Sequence, residues 1–467
     1  MSPRSPDAIL GCLLGGAVGD ALGAPVEFFT WAQIRQQFGE CGIVDFVPAY
    51  GQLGAITDDT QMMLFTAEGL LRAHVRGALK GICHPPSVIH HALLRWLLTQ
   101  GERAATEVGE DGWLFAERRL WSRRAPGNTC LSALRASRHF GELADNDSKG
   151  CGGVMRVAPC AFFPDAFANA AESAHLTHGH PTGYQAAGLF ADILARIWEE
   201  RQPLAEAARA SLTAHGNKSG MEENRQIVEQ VLRLHEEGLQ PTPRRIEQLG
   251  GGWVAEEALA IGLWCALAAD SLEQGIVWAV NHSGDSDSTG LIAGHFLGLI
   301  HGPDAIPSRW LDKLELRDVI EQVARDIGEV PERYQGGGSD MERAIWTRYP
   351  GGEEETHTPS DGICVNQIQA LATGATCSSR LTISSSSRFE AQRLPLCLSS
   401  SASICRAFGF SIRYSTRSRG VIPWELRCQA SSGASCSRRR VACRFPVQAA
   451  VFSGDWPSKV SLSRRQG

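Results

Sequence analysis

Residues 11–23 read Gly11-Cys-Leu-Leu-Gly15-Gly-Ala-Val-Gly19-Asp-Ala-Leu-Gly23, and the spacing of the glycines decides the fold. Gly11, Gly15, Gly19 and Gly23 recur every fourth residue, so on a helix over 8–22 they form one bare face. Glycine inside a helix costs about 0.5–1 kcal/mol relative to alanine. A stripe of four needs a reason, and close approach of another backbone is the simplest. This helix is therefore expected at the centre of a packed helical body, beside the functional site. Outward from it, apolar residues recur at helical spacing in 60–76, 87–99, 113–121, 184–199, 222–237, 254–268, 272–281, 290–301 and 317–327. Alternating patterns are scarce, with Gly42 to Val47 the best short strand candidate. The fold class is all-α.

Two acidic clusters sit at the start of two of these stretches. They are Thr57-Asp58-Asp59-Thr60, before Gln61 to Leu71, and Asp285-Ser286-Asp287-Ser288-Thr289, before Gly290 to Ile300. Asp, Ser and Thr are preferred helix N-caps, and Asp in a first turn favours the helix dipole. One cap accounts for one oxygen at each place, and both clusters hold more. Carboxylates and hydroxyls together make an all-oxygen set of the kind hard divalent cations prefer. If the fold joins the clusters, two ions can sit roughly 3.5–4 Å apart between them, as in two-metal hydrolytic sites.

Charge divides the 467 residues into unlike pieces. From Asp361 onward 15 Lys or Arg stand against 4 Asp or Glu, a net of +11. The preceding residues hold the remaining 30 basic and 47 acidic residues, a net of −17, against −6 for the whole chain. So acidic a body argues against a nucleic-acid surface, which needs clustered Lys and Arg. The 14 cysteines form no CxxC pair or Cys/His zinc spacing. Those of the body mostly lie in apolar runs, as Cys12 and Cys265 do, which suits a reducing compartment. No apolar run approaches the roughly 20 residues of a membrane helix, and Arg4 offset by Asp7 makes no basic signal-peptide leader. The expected location is the cytoplasm, with no membrane partner.

The composition changes near Gly351. Residues 353–467 carry Ser384 to Ser387, Ser399 to Ser401, many Arg and no sustained amphipathic period. Such material is not expected to bury enough apolar surface to fold alone. It reads as a disordered tail, translated from a foreign reading frame or serving as a basic arm with Arg438-Arg439-Arg440 as the contact. The body, 1–352, is interrupted by polar or Gly-rich loops at 145–153, 177–183, 248–253 and 334–340. In Gly150-Cys151-Gly152-Gly153, glycines allow positive φ and let a ligand approach backbone N–H groups.

Several motifs together resemble one family. Gly19-Asp-Ala-Leu-Gly-Ala-Pro-Val-Glu27, Thr57-Asp58-Asp59-Thr60 and His282-Ser-Gly-Asp-Ser-Asp-Ser-Thr-Gly290 are similar to segments of the ADP-ribosylglycohydrolase family. That family includes the dinitrogenase reductase-activating glycohydrolases and the ADP-ribosyl-acceptor hydrolases. Gly152-Gly-Val-Met-Arg-Val-Ala-Pro159, Leu176-Thr-His-Gly-His180, Gly251-Gly-Trp-Val-Ala-Glu-Glu-Ala-Leu259 and Ile345-Trp-Thr-Arg-Tyr-Pro-Gly351 match in the same order. The resemblance covers about 7–352 and leaves out the tail.

The resemblance implies a single helical catalytic domain with two Mg2+ or Mn2+ ions. Thr57, Asp58 and Asp59 fall on the first ligand set, and Asp285, Asp287 and Ser288 on the second. The last is often Thr in the family, and Ser288 still supplies a hydroxyl. Glu27 falls on a catalytic or gating glutamate. The implied reaction removes ADP-ribose from a modified protein or small-molecule acceptor by attack of water at the anomeric carbon, with oxocarbenium character developing on the ribose. Metals would hold the ribose diol and acidify a water, and Asp59, Asp287 or Glu27 would move its proton. The loop N–H groups around Gly150, Gly152, Gly153, Val154 and Met155 suit the pyrophosphate, and His178 the adenosine or ribose. The form of the last acidic motif and the compact loops resemble the bacterial branch, which implies ADP-ribosyl-arginine as substrate; the protein is expected to be a monomer. ADP-ribosyl-serine, poly(ADP-ribose), a silent nucleotide-binding protein and a two-metal phosphoester hydrolase are the alternatives.

Overall fold

The glycine-striped helix runs Pro6–Gly23, and every residue from Gly11 to Gly23 is buried. In the computed structural model, which describes residues 6–336 and 338–352 and the backbone of 410–413 and 425–428, its partner is the Ser286–His301 helix. A Cβ on Gly11, Gly15, Gly19 or Gly23 would collide with the carbonyl oxygen of Gly298, Gly294, Gly290 or Ser286 in turn. The collision is mutual, because a Cβ on Gly298, Gly294 or Gly290 would strike the carbonyls of Gly11, Gly15 and Gly19. Two glycine stripes thus interleave, antiparallel and in register. The register sets the end of the first helix, with Asp20 in its last turn and Glu27 just beyond it, beside the start of the helix that carries Asp287 and follows Asp285.

The remaining helices pack around this pair. Asp58–Lys80 lies against Pro85–Thr99, joined by the Trp96 indole N–H donating to Gln61 Oε1 at 3.1 Å. Ala255–Ala268 and Leu272–Val280 cover the Ser286–His301 helix, and Pro181–Glu200 packs on Ala166–His175. The expected segments are helical, with two differences. The 113–121 stretch breaks into Trp113–Ala116 and a 3-10 turn at Arg118–Leu120, because the Glu117 carboxylate accepts the Arg119 N–H and holds the backbone extended. The 317–327 segment continues to Arg333.

Gly42 to Val47 is not a strand. Its backbone finds a side-chain partner instead: Ile43 N–H donates to Asn281 Oδ1 and Asn281 Nδ2 donates to the Ile43 carbonyl, both at 2.8 Å. That satisfies the buried amide without a sheet.

The chain divides into two units, Met1–Asp361 and Gly362–Gly467. In the second, Phe410–Arg413 pairs antiparallel with Glu425–Cys428, Phe410 opposite Cys428. This pairing was not expected from the sequence. Apart from it, the expectation of a tail without a fold concerns residues outside those described. Among the described residues no helix is long and apolar enough to cross a membrane.

Candidate active site

Asp20 is the residue that gathers the site. It is fully buried on the glycine helix, and its carboxylate accepts from Thr57 N–H at 3.0 Å, from Thr60 N–H at 3.2 Å and from the Thr60 hydroxyl. It therefore fixes the start of the Asp58–Lys80 helix against the helix pair. Thr57 is the N-cap, its hydroxyl accepting from Asp59 N–H at 3.2 Å. On the other side Asp285 begins the Ser286–His301 helix, its N–H bound to the Gly251 carbonyl at 2.8 Å. Glu257 Oε2 accepts from Gly251 and Gly252 N–H, which holds the 248–253 loop in place.

The two acidic clusters meet. The Ser288 hydroxyl donates to Asp59 Oδ2 at 2.7 Å, and Ser288 N–H donates to Asp287 Oδ1 at 3.0 Å. Asp58 accepts weakly from Gly127 N–H at 3.4 Å, and Asp285 accepts from the Cys151 thiol. Glu27, Asp285 and Asp287 bring carboxylate oxygens within 4.8 Å of one another. Glu27 Oε2 is buried without a hydrogen-bond partner.

Six buried carboxylates stand here, Asp20, Glu27, Asp58, Asp59, Asp285 and Asp287. Among the described residues none forms an ion pair with Lys, Arg or His. Burial, then the Asp287 charge, pushes Asp58, Asp59 and Asp285 well above the usual carboxylate range. The same causes raise Asp20 to about 7 and Glu27 to about 10, with Asp285 next for Glu27. Asp287 itself is raised by burial. An unneutralised cluster of this kind is expensive, and its donor set is all oxygen. The residues fit hard divalent cations, with Thr57, Asp58, Asp59, Asp285, Asp287 and Ser288 as the ligand candidates and Glu27 beside them.

The glycine loop is built differently from the expectation. Gly150, Cys151, Val154 and Met155 direct their N–H groups to Ser148 Oγ, the Trp253 carbonyl and, for the last two, the Cys151 carbonyl. Gly153, Val154 and Met155 are buried, which leaves Gly152 as the cradle candidate. His178 is buried beneath the loop, where a Cβ on Gly152 would come within 3.1 Å of its ring. Its Nδ1 meets Thr177 Oγ1 at 2.8 Å, and burial with nearby Arg156 pulls its pKa down to about 3. His178 thus shapes the loop from behind. Arg156, also buried, donates to the Gly152 carbonyl at 2.7 Å and to Thr177 Oγ1 at 2.8 Å.

Sequence reasoning did not single out Asp20, Cys151, Arg156, Tyr50, Phe28 or Trp253. Tyr50 adopts φ 50° and faces the Arg124 guanidinium at 5.1 Å; burial, then Glu27 and Asp287, raises its phenol. Phe28 and Trp253 stack with centroids 5.8 Å apart and remain 69% and 45% exposed. They follow Glu27 and Gly252, and a Cβ on Gly252 would lie 3.4 Å from Asp285 Cβ, so the pair stands at the rim of the acidic site.

A family model described as ADP-ribosylglycohydrolase matches residues 1–336. The chain belongs to the ADP-ribosylglycohydrolase family. It is similar to the ADP-ribosyl-[dinitrogen reductase] glycohydrolase of Rhodospirillum rubrum, 30% identical over 70% of this chain and 96% of that protein. It is also similar to the ADP-ribosylarginine hydrolase Tri1 of Serratia proteamaculans, 24% identical over 69% of this chain and 80% of the other. The ADP-ribosylhydrolase ARH3 of Bos taurus is 23% identical over 70% and 94%. This glycohydrolase is an enzyme of that hydrolase class, and its matched segment contains both acidic clusters, Asp20 and Glu27.

Proposed function

We propose that the protein is a divalent-metal-dependent hydrolase that releases ADP-ribose from ADP-ribosyl-arginine. The observation that carries the metal requirement is six buried carboxylates brought together with no basic partner among the described residues. When bound, the metal supplies charge neutralisation and acidification of a water.

Glu27 is the group best placed to hold or pass a proton. Asp59 Oδ2 and Asp287 Oδ1 are already occupied by Ser288, whereas Glu27 Oε2 has no hydrogen-bond partner. Asp59 and Asp287 are then ligands and orienting groups, fixed by the Ser288 hydroxyl and N–H. Asp20 keeps the Thr57 end of the site in register.

The arginine acceptor draws on two features. The exposed Phe28–Trp253 pair offers ring faces to a guanidinium beside Glu27. Against the net charge of −17 before Asp361, a guanidinium offsets part of the pyrophosphate's negative charge, which a serine acceptor does not. The deciding experiment offers ADP-ribosyl-arginine, ADP-ribosyl-serine and poly(ADP-ribose) in parallel, with Mg2+, with Mn2+ and with EDTA, and quantifies free ADP-ribose. Preference for serine or polymer overturns the acceptor, full activity in EDTA overturns the metal, and AMP or phosphate as product overturns the reaction.

A further inference from the structure

We infer that a cavity at the far end of the Asp58–Lys80 helix is a second binding site, for an oxyanion carried on a planar ring. Arg72 lies 14 residues beyond Asp58 on this helix, about 21 Å along its axis at about 1.5 Å per residue. The cavity has a volume of about 730 Å³ and is lined by Arg72, Arg76, His91, Arg95, Phe140 and Trp346, among others. That is within the roughly 300–1,000 Å³ of small-molecule sites.

Arg95 is the decisive residue. It is fully buried, yet Nε, Nη1 and Nη2 all lack a hydrogen-bond acceptor. Its nearest carboxylates, Asp111 and Glu68, are ion-paired only at 3.6 and 3.8 Å. Arg72 takes the close contacts to those same carboxylates, at 2.8 Å to Asp111 Oδ2 and 3.1 Å to Glu68 Oε1. Two guanidinium groups therefore share two carboxylates, and exposed Arg76 adds a positive charge at the wall. Asp111, the acidic member of the lining, is held by Arg72.

A buried guanidinium with idle N–H groups is costly, and a phosphate or carboxylate would satisfy it through charge-assisted bonds. The ring specificity comes from the opposite kind of wall. His91 and Phe140 stack with centroids 4.2 Å apart, and half-buried Trp346 adds a second aromatic surface. His91 Nε2 is a further buried polar atom without a partner.

The test is isothermal titration of the full chain with phenyl phosphate, benzoate, inorganic phosphate and phenol. One or both ring anions bind, inorganic phosphate binds more weakly, and phenol does not bind. The tighter ring anion names the head group. Arg76→Ala and Arg95→Lys each weaken that binding about tenfold, the loss of one charge-assisted bond, while Asp58→Ala in the acidic site leaves it unchanged. Arg76 is exposed, so its variant decides even if Arg95→Lys does not fold. No binding of either ring anion, equal binding of phenol, indifference to Arg76→Ala or loss in Asp58→Ala each overturns the site. The run Glu353-Glu354-Glu355 follows directly after the cavity-lining Gly352. Binding seen only after all three are changed to Gln would make that run the occupant and overturn the small-molecule assignment.

Discussion

A carboxylate that is buried beside other carboxylates raises the free energy of the folded state unless it is protonated or neutralised. Glu27 and Asp20 give that rule a pH dependence. Their folded values, about 10 and about 7, lie above the ordinary 4.5 and 3.8. The folded state then binds more protons than the unfolded state, so stability is fully present below about pH 4 and is lost as pH rises. The loss from Asp20 is complete near pH 7, and that from Glu27 continues towards pH 10. In EDTA the melting temperature is therefore expected to fall between pH 5 and 8. Mg2+ or Mn2+ should restore it most at the upper end, and a flat profile insensitive to metal would refute the linkage. Asp287 is the charge that most raises Asp58, Asp59 and Asp285 after burial. Asp287→Asn should consequently raise the melting temperature in EDTA by a few degrees, on the order of 1 kcal/mol, while abolishing hydrolysis. Glu27→Gln separates chemistry from folding: turnover drops by about 100-fold or more, as for loss of a general acid or base, with the fold and ADP-ribose binding intact. Wild-type turnover in that variant would make Glu27 structural.

The helices show why part of this site was legible in the sequence and part was not. The stripe Gly11, Gly15, Gly19 and Gly23 announced a close backbone partner, and Gly290, Gly294 and Gly298, at the same spacing, were that partner in plain view. The interleaving makes a sharp contrast testable. Gly19→Ala forces a methyl into the Gly290 carbonyl and should cost about 1–3 kcal/mol or more. Gly77→Ala meets only Cys83 Cβ at 3.8 Å and should stabilise its helix by about 0.5–1 kcal/mol. Thermal melts of the two variants moving in the same direction would contradict this packing. The acidic clusters could be read because local repetition exceeded what capping explains. Asp20 could not, because one Asp in an apolar helix carries no local excess; its role exists only once Thr57 and Thr60 arrive from another helix. Arg156 within Val154 to Ala161 was the stronger missed signal, a charge in an apolar run that has to find partners when buried. The helices Trp31–Phe38 and Asn128–Ala136 bury only Ile34 in the first and Cys130, Leu131 and Leu134 in the second, too few apolar positions to mark a period.

At the scale of the molecule, the chain joins pieces of opposite charge, −17 before Asp361 and +11 from Asp361 onward. The family match ends at residue 336, and the glycine pair, the acidic site and the Arg95 cavity all lie before residue 353. We therefore expect a chain ending at Gly352 to retain hydrolysis and to melt within a few degrees of the full chain. Loss of activity or unfolding would make the tail an integral part of the enzyme. The same truncation tests the electrostatic part of the arginine assignment. It also removes Glu353, Glu354 and Glu355, leaving 30 basic against 44 acidic residues, a net of −14 in place of −6. ADP-ribosyl-arginine carries a dianionic pyrophosphate besides its guanidinium, so its net charge is negative. Its kcat/KM should rise with added salt as the Debye length shrinks from about 10 Å at 0.1 M towards about 3 Å at 1 M. The rise should be steeper for the truncated chain, whose net charge is more negative. Because ADP-ribosyl-serine lacks the compensating guanidinium, its kcat/KM should rise more across the same salt series. Equal slopes for the two substrates would remove net charge from the argument and leave the Phe28–Trp253 rim as the support for arginine.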